Sequence, residues 1–297
     1  MKAVMLQDRG VVRVSGPTAR AFLDGLVTAD MAMVAPDHAG FAALLSPQGK
    51  ILFDFIVAGD GADGFLLDVP RDLAAGLAAR LKFYRLRAKI EIEDVSDKFV
   101  VLAVWDGLPD IDGTRLFADP RLPALGHRAI VPAEAAAGIL ASPGMEPSDT
   151  AAYEAHRIAH GVPQGGADFA YGDAFPHEAD MDQLAGVDFG KGCYVGQEVV
   201  SRMQHRGTAR TRTVPVAITG PAPAPATPVM AGEKTIGRMG SHAGDRGLAM
   251  LRLDRVADAM AAGLPLVAGE ATLMLTKPDW VRFAWPGEKP ATAGAAE

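Results

Sequence analysis

Asp188-Phe189-Gly190-Lys191-Gly192-Cys193-Tyr194-Val195-Gly196-Gln197-Glu198 contains the only cysteine among 297 residues. Beyond it, Val199 and Met203 form an apolar i, i+4 pair, Arg202 and Arg206 a polar one, and Gly207 supplies a stop. This pattern predicts a helix starting just after the thiol. A thiol beside a cation and ahead of a helix start is favoured as thiolate, because the oriented N–H groups and the ammonium both stabilise the anion. The surrounding glycines let the backbone turn sharply and approach a ligand. Two readings of these residues stand: a reactive or ligand-facing thiol activated by Lys191, or a small apolar residue buried in a tight loop.

The rest of the chain limits the function classes. Hydrophobic residues make up 49% and charged residues 22%, the balance of an ordinary globular protein. No apolar run approaches the roughly 20 residues of a membrane span. Met1 to Leu6 is cut off by Gln7-Asp8-Arg9 before an h-region develops, so no signal peptide and a cytoplasmic location are expected. One cysteine excludes an internal disulfide framework and a self-contained cluster site of four thiolates. A net charge of −7 argues against strong direct nucleic-acid binding. Within that acidic background, Arg202, Arg206, Arg210 and Arg212 lie between Val199 and Thr213 with no carboxylate. They read either as a receiver for a polyanion or as a solvated helix face with cations near its C-terminus.

The elements fall into three regions. Residues 1–95 read as a first α+β lobe, β-α-β-β-β-α-β, ferredoxin-like with one extra strand. Residues 96–213 partly repeat the pattern: strands at Phe99–Trp105 and Ala129–Val131, and helices at 132–140 and 150–160. A Pro/Ala-rich stretch, 219–228, introduces short strand-like runs that predict a small β-barrel over 214–285. Residues 286–297 read as a disordered tail.

The motif Lys191-Gly192-Cys193-Tyr194-Val195-Gly196-Gln197-Glu198, with Arg206-Gly207 downstream, resembles the signature of the YgfZ-type folate-binding family. That family is related to the glycine-cleavage aminomethyltransferase (T-protein) and linked to iron–sulfur cluster assembly and repair. Gly49-Lys50 with Asp54, Tyr84-Arg85-Leu86-Arg87-Ala88-Lys89 and Pro176-His177-Glu178-Ala179 resemble further family elements. The resemblance implies two α+β lobes and a barrel around a central opening that holds tetrahydrofolate or a one-carbon derivative. It implies pterin binding by Glu178, with Asp54, Tyr194 and Gln197 also toward the cofactor and Arg202 and Arg206 toward its glutamate tail. Tyr84, Arg85 and Arg87 either line the opening or form an interface at a helix end. Cys193 and Lys191 are the expected catalytic pair. Partners are expected to be iron–sulfur client enzymes, including cluster-containing tRNA-modifying enzymes.

Two departures speak against glycine-cleavage chemistry. Phe53 stands where the T-protein carries one of two paired aspartates, and the T-protein lacks the cysteine motif. Asp54 also reads as an exposed polar residue on an alternating strand, and Glu178 as an acid at a helix N-terminus. A folate-dependent one-carbon transferase is the alternative activity, and a non-catalytic module acting on RNA is a third. His156 and His160 have metal-compatible i, i+4 spacing but lack both a catalytic Glu between them and a third ligand, so no metal is expected.

Overall fold

The computed structural model describes residues 1–107, 115–207 and 209–288. The segment expected to be a disordered tail lies outside these residues from 289 onward.

The first lobe is an antiparallel sheet backed by helices. Its strands are β2 (Arg9–Ser15), β3 (Gly40–Leu45), β4 (Ile51–Gly59), β5 (Gly64–Pro70) and β6 (Glu91–Asp94), in the order β3-β4-β5-β2-β6. Without edge strand β3 this is the ferredoxin-like order, as the alternation predicts. Helices α1 (Ala19–Asp24) and α2 (Arg71–Tyr84) cover one face. The apolar stripe of α2, Ala74, Leu77, Ala78 and Leu81, packs there with Phe55, Val57 and Leu67 of the sheet.

The second lobe repeats this order around a foreign strand. Its sheet runs β10-β1-β7-β9-β8, from β1 (Lys2–Leu6), β7 (Phe99–Trp105), β8 (Arg115–Ala118), β9 (His127–Pro132) and β10 (Glu146–Pro147). Lys2–Leu6 is inserted between β10 and β7, pairing Lys2 with Trp105 and Leu6 with Val101. The chain therefore begins in the second lobe before building the first, unlike the division at residue 95. Helices α3 (Ala136–Leu140) and α4 (Thr150–Ala159) complete this lobe, the latter capped by the Asp149 carboxylate on the Ala152 N–H at 2.7 Å.

The third region is a closed six-stranded barrel, β11-β14-β13-β12-β15-β16. It comprises β11 (Thr211–Thr219), β12 (Pro228–Ala231), β13 (Lys234–Ala243), β14 (Arg246–Arg252), β15 (Leu266–Ala268) and β16 (Ala271–Leu275). Closure comes from β11, which pairs with both β14 and β16 and so leaves no free edge. Helix α5 (Gln197–Arg206) precedes the barrel, and α6 (Leu253–Ala261) leaves its fourth strand.

Between α4 and α5 the chain runs from 160 to 196 without a helix or strand. This long connection is buried along much of its length. Phe169, Ala179, Met181 and Tyr194 join a central core with Phe41 and Ile56 of the first sheet and Val101 and Trp105 of the second. An irregular segment of this length inside a compact protein usually carries function.

Candidate functional site

Lys191, Tyr194, Val195 and Gly196 around Cys193 are held from behind, whereas Gly192 and Glu198 are exposed like the cysteine. The Asp188 carboxylate accepts the N–H groups of Gly190 and Lys191 at 2.7 and 3.0 Å, closing an Asx turn. The Asp188 N–H donates to the Thr28 carbonyl at 2.9 Å. Thr28, fully buried, donates its hydroxyl to the Gly186 carbonyl at 2.6 Å and accepts the Ala43 N–H at 2.8 Å. Tyr194 lies in the central core, where burial and then the Asp188 carboxylate push its phenol up to about 12. Val195 packs against the helix-side core of the first lobe.

Lys191 departs from its expected role. Its side chain is 1% exposed, and its ammonium donates to the carbonyls of Asp24, Val27 and Ala29 at 2.7, 2.9 and 2.8 Å. It also pairs with the Asp24 carboxylate at 3.1 Å. These contacts use all three ammonium donors and place a cation at the C-terminal end of α1, where the helix dipole favours it. Lys191 is an anchor for the loop rather than a cation held on the thiol. Cys193 is exposed and unpaired, which removes the reading of a small buried residue.

The helix start is fixed by two glycines. Gly196, at φ 83°, caps α5 without a side-chain bond, and a Cβ there would stand 2.6 Å from the Ser46 carbonyl and 3.1 Å from Gly49 Cα. Gly49, at φ 79°, faces Val199 as closely: a Cβ added to it would stand 3.0 Å from that of the valine. The Gly49-Lys50 turn and the Gly196-Gln197-Glu198 helix start are therefore two halves of one contact. Gln197 closes the loop with a 3.4 Å bond from its amide to the Gly192 carbonyl. The stop expected at Gly207 is a left-handed cap at φ 57°.

The residues expected to hold the pterin are engaged elsewhere. Glu178 caps its own turn, accepting the Phe175 N–H at 2.9 Å, while its carbonyl accepts the Thr213 N–H and hydroxyl at 3.0 and 2.9 Å. Burial raises its carboxyl above the ordinary range, against the Phe175 bond and Lys50. Asp54 is buried rather than exposed and accepts the Tyr171 hydroxyl. Phe55 on the same strand faces the helix-side core, as expected of an alternating strand, whereas Asp54 points inward between the lobes.

The arginines after the thiol do not form one group. Arg202 pairs with Glu198 at 2.9 Å on an exposed helix face, a contact of little energetic weight. Arg206 is exposed at the last turn of α5. Arg212 is buried: it clamps the 177–182 turn to the barrel through the His177 carbonyl, at 2.8 Å, and Asp182, at 2.5 Å, with its guanidinium over the Phe283 ring.

The centre of the molecule holds a network that sequence reasoning missed. Asp68 accepts Arg9 at 2.5 Å and Arg128 at 2.6 Å; Asp119 accepts Arg128 at 3.0 Å and a two-pronged contact from Arg121 at 2.9 and 2.7 Å. Burial would raise the Asp119 carboxyl, but Arg121 and Arg128 outweigh it and hold it far below the carboxylate range. Nearby, Arg157 joins Asp168 at 2.9 Å, and Asp168 accepts the Ser241 N–H of the barrel at 2.7 Å. The cavity left among Arg9, Asp54, Arg121, Arg128 and Tyr153 measures about 20 Å³. That is room for about one water molecule, whereas ligand pockets run to roughly 300–1,000 Å³. Neither Glu178 nor any residue of 191–198 lines it. The residues present therefore do not fit a folate in the central opening.

The larger cleft beside the thiol loop, about 560 Å³, is lined by Met33, His38, Phe41, Pro120, Asp188 and Phe189 among others. Tyr84, Arg85 and Arg87 lie at the outer end of α2, away from the central cavity.

Comparison with known proteins agrees with this architecture. Residues 6–106 match the GCVT N-terminal domain and residues 210–283 the CAF17 C-terminal β-barrel domain. The glycine cleavage system aminomethyltransferase T from Bartonella henselae shares the fold, with a TM-score of 0.73 at 16% identity over 96% of this chain and 87% of that one. The human mitochondrial iron–sulfur cluster assembly factor IBA57 is 32% identical, covering 95% of this chain and 84% of its own. Its mouse counterpart is 31% identical over 95% and 84%, and the Mycosarcoma maydis homologue 31% over 97% and 86%. The resemblance drawn from the cysteine motif holds at the level of fold and of iron–sulfur cluster assembly. The expected cytoplasmic location is overturned, because these relatives are mitochondrial proteins. A lone thiol speaks to redox state, which does not separate those two compartments. With a relative above 30% identity spanning nearly its whole length, the chain belongs to the IBA57 family of iron–sulfur cluster assembly factors.

Proposed function

We propose that this chain acts in iron–sulfur cluster assembly by presenting Cys193 to a partner protein that carries the cluster. The observation that carries this reading is the contrast within the motif. Lys191, Tyr194 and Gly196 are locked into the protein, while the thiol between them is exposed. A cysteine kept only for packing would be buried. One thiolate cannot hold a cluster by itself, since four ligands are the rule. Cys193 therefore supplies one ligand or one thiol contact, and the partner supplies the rest.

Folate has no step in this proposal, because Asp54 and Glu178 are committed to Tyr171 and Phe175 and the central cavity is water-sized. The one-carbon transferase alternative lacks the same pocket, and Phe53, in the place of the second aspartate, packs beside the helix-side core. Alkylation tests the proposal. One equivalent of iodoacetamide should modify the native protein at Cys193 and abolish its ability to restore iron–sulfur enzyme activity in a depleted extract. Full restoration by the alkylated protein would refute it.

A further inference from the structure

On the outer end of the first lobe, α2 runs into a tip unlike the rest of this acidic protein. Between Leu73 and Ile90 the chain carries Arg80, Lys82, Arg85, Arg87 and Lys89 and no carboxylate, on a molecule of net charge −7. All five cations are exposed, and among the described residues none is paired with an acid. Two large apolar side chains stand among them, Phe83 at 73% and Leu86 at 89% exposure. Leu86 adopts φ 43°, a left-handed conformation that costs a non-glycine residue energy and that proteins keep mainly where it serves a purpose. The tip itself walls an open groove, in which Leu86, Arg85 and Arg87 face Pro17 and Phe22 at the start of α1.

We infer that this tip and groove form the docking surface for an acidic protein partner whose own surface offers an apolar socket for Phe83 and Leu86. Charge complementarity supplies the sign of the partner, since five exposed cations attract an acidic face and repel a basic one. Shape supplies its class. A protruding Phe83 beside a groove walled by Leu86 calls for a partner with matching relief, which a fluid lipid surface lacks. Position connects the surface to the thiol. The groove takes residues from the start of α1, and Lys191 anchors the Cys193 loop at the other end of that helix. At 1.5 Å per residue, six-residue α1 is about 9 Å long. Val195 also packs on the same core as Phe22 and Tyr84, so thiol loop and tip rise from the helix-bearing side of one sheet. The choice of a cluster-carrying partner rests on the function proposed above; the surface itself does not.

The test places benzoylphenylalanine in place of Phe83 in the full-length chain, expressed in its own host, and identifies the photo-crosslinked product by mass spectrometry. The expected result is one acidic protein. Its crosslink should fall at least about tenfold in Arg85→Glu/Arg87→Glu, since like charges set against each other across an interface weaken binding by that much or more. Iron–sulfur enzyme activity should fall in the same variant and in Phe83→Ser/Leu86→Ser, with melting temperatures unchanged because every altered side chain is exposed. A crosslink that survives charge reversal, or none to an acidic protein, would overturn the inference. So would co-sedimentation with phosphatidylglycerol vesicles that Arg85→Glu/Arg87→Glu abolishes. A parallel Cys193→Ala strain separates the two claims: normal enzyme activity there refutes the thiol's role, while the crosslink still decides the surface.

Discussion

Lys191 and Asp24 lie 167 residues apart in sequence, yet the ammonium of one meets both the carbonyl of the other, at 2.7 Å, and its carboxylate, at 3.1 Å. This contact ties the thiol loop to the end of α1 and makes the conspicuous cation of the motif a structural part. Lys191→Met should leave three partly buried carbonyls without a donor and destabilise the protein by about 1–3 kcal/mol. Cys193→Ser, at an exposed position, should stay within about 0.5 kcal/mol of wild type. Urea unfolding of the two variants side by side checks the contrast. Equal stabilities would mean that Lys191 does not anchor the loop.

Gly196 and Gly61, both at positive φ, predict a second contrast. At Gly196 an alanine faces both a left-handed φ and a Cβ 2.6 Å from the Ser46 carbonyl, so Gly196→Ala should cost about 1–3 kcal/mol and displace the helix start. Gly61, at φ 74°, has open space around its Cβ position, so Gly61→Ala carries only the conformational cost, about 1–2 kcal/mol. Thermal unfolding and Cys193 alkylation rates measure the two effects. Only Gly196→Ala should alter the rate at the thiol.

The buried ion pairs at the centre should be fragile to the loss of one member. Arg128 serves both Asp68 and Asp119, so Arg128→Met leaves two buried carboxylates short of a partner. The expected loss is about 3–5 kcal/mol, read from urea midpoints at neutral pH. A loss under about 1 kcal/mol would mean that water, rather than the arginine, stabilises these acids.

Glu178 gives the pH prediction. Burial holds its carboxyl above the ordinary range, so the folded chain binds this proton more tightly than the unfolded chain does. The stability it contributes is present in acid and declines as pH rises from the ordinary carboxylate range through the raised value. Glu178→Gln removes that decline. The variant should match wild type at about pH 4 and be the more stable of the two at about pH 7. Calorimetric melts across that range test the sign, and a variant less stable at neutral pH would reverse it.

Closure of the central opening yields a ligand prediction. Anaerobic calorimetric titration with tetrahydrofolate should show no saturable binding to the wild-type chain, because its water-sized cavity admits no pterin. Saturable binding that weakens in Glu178→Gln would show that the opening accommodates the ligand after all.

Much of the fold is legible in the sequence because it is locally encoded. The helix after Cys193, its stop at Gly207 and five of the six barrel strands announce themselves by spacing, β-branched runs and glycine. What is not legible depends on partners distant in sequence. The short alternation of Lys2–Leu6 says strand but cannot say which sheet, and the structure threads it between β10 and β7. Thr211–Thr219 begins before the expected barrel boundary at residue 214, yet it closes that barrel. Nothing in the sequence singles out Arg128 or Arg157, and Arg212 reads there with the exposed arginines after the thiol, because isolated charges ordinarily belong in water. Only folding reveals the carboxylates that accompany them inside. The cysteine motif marks a loop whose thiol is exposed, while the anchoring of Lys191 on the end of α1 emerges only in three dimensions.

The decisive experiment replaces the chromosomal copy with Cys193→Ala and measures iron–sulfur enzyme activity in the resulting strain. If the exposed thiol is the working group, activity should fall close to that of a deletion strain, with the variant protein present at wild-type level and melting at the wild-type temperature. Wild-type enzyme activity in that strain would contradict the role assigned to Cys193.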